Sequence, residues 1–125
     1  MMSKHIIVLT DVALITCIVQ KGSADVIVTA AQNAGAQGAT VFYARGGGVR
    51  ERLGILGIAV EVEKEVINIV VATDQIDRVF EKVYLAGNLD TPGMGFMYVT
   101  PLEKAATYIP KEIENKLANE IKQSV

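Results

Sequence analysis

Five glycines and three arginines fall between residues 45 and 57, in Arg45-Gly46-Gly47-Gly48-Val49-Arg50-Glu51-Arg52-Leu53-Gly54-Ile55-Leu56-Gly57. Consecutive glycines permit positive φ and close backbone approach. Exposed N–H groups in such a loop can hold an anion. Arg45, Arg50 and Arg52 add charge-assisted contacts to a phosphate. Leu53, Ile55 and Leu56 are out of place on a solvated tip and suit a segment that orders on a partner. A mobile hairpin loop with solvated charges would carry the same glycines. A second window, Gly87-Asn88-Leu89-Asp90-Thr91-Pro92-Gly93-Met94-Gly95, holds three more of the eleven glycines. Read alone it is an αβ turn, with Gly87 as helix stop and Pro92-Gly93 as turn chemistry. Gly93-Met94-Gly95 is too short for a dinucleotide fingerprint and leads into a strand rather than a helix.

The inventory for bond-making chemistry is thin. His5, the single histidine, has no sequence-local acid or thiol at a useful spacing. Cys17, the single cysteine, lies inside an apolar run with no adjacent base. It reads as a buried thiol in a reducing compartment. Glu61, Glu63 and Glu65 alternate along one strand face and read as solvated. No metal-ligand cluster stands out. The chain is therefore expected not to be an enzyme and to carry no redox cofactor.

The elements that must position the glycine windows follow from hydrophobic pattern. Val12 to Val19 is rich in β-branched residues and reads as a strand. Ser23 is a plausible N-cap for a helix to about Ala34, with Val26, Ile27, Ala30, Ala31 and Ala34 at helical spacing. Its Val-Ile-Val-Thr stretch is a poor helix former, so packing must hold it. Gly35 suits a left-handed stop, and Thr40 to Ala44 is a second strand. A third strand lies within Ile58 to Val71. Thr73 would cap a second helix with Ile76, Val79, Phe80, Val83 and Tyr84 on one stripe. Phe96 to Thr100 is the fourth strand, and an added helix is expected from Lys111 to Gln123 after Pro110. The order is βαββαβ: an α+β, ferredoxin-like antiparallel sheet with a C-terminal helix. Residues 1–11 read as an N-terminal extension, 12–101 as the domain and 102–125 as a helical extension.

Composition narrows the function. At 125 residues the chain is one domain. Half of it is apolar, and the mean hydropathy is +0.33, so disorder is excluded. With net charge −2 and no tryptophan, neither a basic stripe nor a stacking platform for nucleic acid is present. The apolar run Ile6 to Val19 is too short to span a bilayer and is broken by Asp11. No membrane insertion and a cytoplasmic location are expected. Val12 to Val19 and Val66 to Ala72 are apolar at nearly every position, so both faces of those strands need cover. Two helices cover one face. Sister subunits are the expected cover for the other, since one short helix cannot shield four strands; the alternative is that the C-terminal helix or the Met1 to Leu9 extension folds across it.

Four stretches bring these observations together. They are Gly35-Ala36-Gln37-Gly38-Ala39-Thr40-Val41, Arg45-Gly46-Gly47-Gly48, Glu65 to Asp77 (EVINIVVATDQID), and Gly93-Met94-Gly95-Phe96-Met97-Tyr98-Val99. In order and spacing, Ala13 to about Val99 resembles the nitrogen regulatory protein P-II family. The resemblance implies a ferredoxin-like homotrimer with adenine nucleotide (ATP, ADP or AMP) in clefts between subunits. Gly38, Thr40, Gly46 and Gly48 would line the cleft from one subunit, with Gly93, Met94 and Gly95 beside them and Arg50 near the phosphates. Segment 46–58, carrying Arg52, Leu53, Ile55 and Leu56, would signal effector state to a transporter, enzyme or regulator of nitrogen or related metabolism. The sequence also departs from the family. The lysine expected after the last glycine is Phe96, and the basic pair after the fourth strand falls at Ala105 to Thr107. The arginine after the first glycine loop is Val49. The loop is short and lacks Tyr or Ser for covalent switching. Each lost cation removes a contact worth about 1.5–3 kcal/mol, which points to a weaker nucleotide, a monophosphate or another small anion. The alternative on the same fold is a structural or metal-linked trimer similar to the divalent-cation tolerance proteins. An acylphosphatase-type enzyme is disfavoured because Gln20-Lys21-Gly22 offers no phosphate cradle.

Overall fold

The computed structural model describes residues 6–36, 38–46, 62–108 and 122–124. Strand β1 (Ile6–Val8) precedes β2 (Val12–Gln20), α1 (Ala24–Asn33), β3 (Ala39–Gly46) and β4 (Val62–Ala72). A 3₁₀ turn (Thr73–Gln75) then leads into α2 (Ile76–Ala86), followed by β5 (Gly95–Leu102) and β6 (Lys122–Ser124). Strands β3, β4, β2 and β5 form one antiparallel sheet in that order. That is the ferredoxin-like βαββαβ arrangement expected from the pattern. The apolar run Ile6 to Val19 divides between two strands, so it forms no continuous helix. No helix among the described residues is long and apolar enough to cross a membrane.

Strand periodicity sorts the residues. Odd-numbered positions of β2 and β4 face the helices: Ile15, Cys17, Val19, Ile67 and Ile69 are completely buried. Ile27 and Ala31 of α1 and Val79 and Val83 of α2 close over them. Ile27 lies in the β-branched stretch, so burial overrides the helix penalty there. Even-numbered positions form the opposite face, which no described element covers in this chain. Phe42, Val70, Phe96 and Tyr98 are exposed on it by 44%, 46%, 63% and 40%. At about 4.8 Å per strand and about 6.7 Å per residue pair, this face spans about 500 Å². That is the size at which an apolar patch marks an interaction site.

Several local expectations change. Ser23 occupies the N-cap position of α1, but its backbone is helical (φ −92°, ψ −11°) and its side chain makes no capping bond. Glu65 takes that role. Its Oε1 accepts from the backbone N–H groups of Gly22 at 2.6 Å and Ala24 at 3.1 Å. Glu65 is therefore buried, at 7% exposure, and not part of a solvated row. It lies directly across from Val19, on the helix-facing side, where the start of α1 reaches it. Glu63 is exposed as expected, and Glu61 lies outside the described residues. Thr73 does not cap α2 either: it opens the 3₁₀ turn, and no side chain caps α2. The predicted helix from Lys111 to Gln123 lies outside the described residues up to residue 121. Its last two residues, Lys122 and Gln123, belong to β6, which pairs antiparallel with β1. Pairing with a distant strand overrides a weak terminal helical pattern.

Candidate functional site

The glycine-rich connection joins Gly46, the last residue of β3, to Val62, the first of β4, and these two residues are paired in register. The β4 root is fastened to the β2–α1 turn. Lys21 Nζ bonds Glu63 at 2.9 Å, and the bond and charge of the pair raise the Lys21 pKa and lower that of Glu63. The pair is exposed, so it contributes little stability but sets a local geometry. Glu65, two residues further on, anchors the start of α1 more firmly because its bonds are buried. Sequence reasoning missed both tethers. Lys21, Tyr43, Ala44, Arg45 and Glu63 line an open cleft of about 620 Å³ at this end. Tyr43 is 73% exposed there.

The second glycine window lies at the same end of the sheet, since Gly95 pairs with Val19. Gln20 Nε2 donates to the Gly93 carbonyl at 2.7 Å and fixes the loop on β2. Gly93 has φ +83° and Gly95 φ +155°. A Cβ at Gly95 would sit 2.7 Å from the Ile18 carbonyl oxygen. The fold itself thus explains these two glycines. Gly38 is different: it has no positive φ, and a Cβ there would meet nothing within 4 Å. Nothing within the described chain requires a glycine at that position.

The predicted site residues fall into three groups. Gly46 and the Gly93–Gly95 segment share one end of the sheet but lie on β3 and β5, its opposite edges. Three strand spacings, about 14 Å, separate them. Thr40 stands near the far end of β3, about 20 Å from Gly46 along the strand, and Gly38 just precedes that strand. Both are exposed, and Met94 is half-buried. Gly48, Arg50, Arg52, Leu53, Ile55 and Leu56 lie outside the described residues. One protomer does not bring the described members of the set together. Phe96, standing where the family carries lysine, lies on the uncovered face with its ring 5.6 Å from that of Tyr98. Ala105 forms a backbone bridge with Leu9, with bonds of 2.8 and 2.9 Å. Among the described residues no three His, Cys, Asp or Glu side chains stand together as a metal site would need.

A four-stranded antiparallel sheet in the order β3-β4-β2-β5 with two helices on one face defines a ferredoxin-like α+β domain. The model of the family described as nitrogen regulatory protein P-II matches residues 12–112, and the chain belongs to that family. Among solved structures, it is similar to the crystal structure of Arabidopsis thaliana PII bound to citrate. That likeness has a TM-score of 0.59 at 23% identity and covers 75% of this chain and 79% of the other. It bears on the fold. No curated protein matches the chain.

Proposed function

We propose that the chain is a P-II-type signalling protein of nitrogen or related metabolism, assembled as a homotrimer. It binds a small effector, an adenine nucleotide, in clefts between subunits. Through segment 46–58 it controls a partner that is a transporter, an enzyme or a regulator. One observation carries this reading: Gly46 and Gly93–Gly95 stand at one end of the sheet on opposite edges. A ring of copies sets the β3 edge of one protomer beside the β5 edge of the next, and the two glycine segments then face each other. The uncovered apolar face supplies the driving force for such a ring. The open space at Gly38 supports an approach by a ligand or a neighbouring backbone.

The mechanism is a population shift. An effector that binds better when segment 46–58 is ordered moves the population toward the partner-binding form, by no more than its preference between the two forms. Chemistry is not required, in keeping with the thin inventory of nucleophiles and bases. Gly93, Met94 and Gly95 contribute backbone to the cleft, and Gly46, Gly48 and Arg50 contribute from the loop side. Phe96 offers no charge to a terminal phosphate. A monophosphate or another small anion therefore suits the site, and the citrate bound to the plant PII makes a carboxylate anion a fair member of the test panel.

Calorimetric titration with ATP, ADP, AMP, cyclic nucleotides and citrate tests the proposal. At least one should bind, with one site per protomer, and that ligand should slow tryptic cleavage at Arg50 and Arg52. Silence across the panel would remove the effector part of the reading.

A further inference from the structure

Register divides the uncovered face of the sheet into rows that run across the strands, beginning beside the Ala44, Lys64 and Gln20 row at the end where the glycine-rich connection joins. Phe42, Val66, Ile18 and Phe96 form one row, wholly apolar. The next is Thr40, Asn68, Thr16 and Tyr98, polar at every position. Beyond it Val70, Leu14 and Thr100 return the face to mainly apolar character, and Ala72, Val12 and Leu102 complete it. No side chain in these four rows is charged. In the middle of the polar row, the Thr16 hydroxyl donates to Asn68 Oδ1 at 2.9 Å, with Thr16 only 5% exposed. This bond uses the amide oxygen. Among the described residues nothing accepts from the Asn68 amide N–H groups.

We infer that this polar row fixes the number and register of the copies that pack on the face. The inference rests on the proposal above that copies of this chain cover it. A second copy fits the chemistry of the face for a specific reason. Rotational symmetry brings each group close to its own equivalents, so charged rows would repel themselves, and these four rows carry no charge. Asn, Thr and Tyr each both donate and accept, so such a row can satisfy an identical row. The apolar rows tolerate sliding, because apolar burial has no direction. The amide does not: a slipped or differently numbered assembly buries its N–H groups against Val66 or Val70 and leaves them without acceptors. A single buried asparagine sets register and stoichiometry in helical assemblies by the same logic.

Sedimentation velocity and native mass spectrometry of the full chain test this, comparing wild type with Asn68→Val and Tyr98→Phe across a wide range of concentration. Wild type should show one stoichiometry. Asn68→Val should associate at a concentration about tenfold lower, since an apolar replacement of a buried polar group often strengthens association. It should nevertheless spread over more than one stoichiometry. If Asn68→Val does not fold, judged by far-ultraviolet circular dichroism, Tyr98→Phe decides. That variant removes one hydroxyl at an exposed position and should broaden the distribution in the same direction. Variants that keep a single species with the wild-type number of copies would overturn the inference. A monomeric wild type would instead overturn the assembly proposal beneath it, whatever the variants do.

Discussion

Glu65 shows how one carboxylate sets the geometry at the root of the glycine-rich connection. It accepts from two backbone N–H groups at the start of α1 while sitting on the strand that leads out of the connection. Glu65→Ala should lower the unfolding free energy by about 1–3 kcal/mol, because the helix loses its cap and a buried donor loses its partner. Glu65→Gln, which keeps an acceptor oxygen, should cost less. Urea unfolding at fixed protein concentration measures both. Cys17 makes a second prediction. Burial without compensating contacts pushes its thiol up from 9.0 to about 12. Below pH 9 both folded and unfolded chains hold the proton, and Cys17 adds no pH dependence. Above pH 9 the unfolded chain releases it first, so stability falls as pH rises from 9 to about 12. Cys17→Ala should flatten that part of the profile. In the native protein the thiol should stay inert to a thiol reagent at neutral pH and react on unfolding.

The strands and helices carry a sharper contrast between glycines. Gly95→Ala should destabilise the fold, since the added carbon meets the Ile18 carbonyl oxygen. Gly38→Ala should leave the melting temperature nearly unchanged, yet weaken effector binding tenfold or more under the proposed function. Thermal melting and calorimetry together separate the two effects. Much of this architecture was readable in advance. The β-branched runs marked β2 and β4, and helical spacing marked α1 and α2 to within a few residues of their ends. A regular period leaves its imprint on sequence because burial on one side selects apolar residues at that period. The caps were not readable. Ser23 and Thr73 have the right chemistry, but capping depends on backbone angles and competing acceptors, which residue type does not encode. Glu65 was assigned to water because alternation tells which residues share a face, not which face lies beneath a helix terminus. Strand β6 was missed because its partner β1 lies at the other end of the chain. The glycine windows were visible as composition. Their placement on opposite edges needed the strand order, which follows from long-range pairing.

For the whole molecule the decisive feature is a large face with four uncharged rows of side chains in a chain with net charge −2. Assembly on that face should depend weakly on salt, since screening acts on charges and not on apolar burial. Sedimentation at low and high ionic strength should give the same association state. A sheet left open to water in a stable single protomer would contradict the assembly and the cleft built on it. The β1–β6 ladder has a different consequence. Ile6 lies directly across from Ser124, so the first and last described strands stand side by side. A few flexible residues would join Ser124 directly to Ile6 as a hairpin. A permuted chain joined at that seam and opened at the exposed Asp90–Thr91 turn should fold to the same sheet.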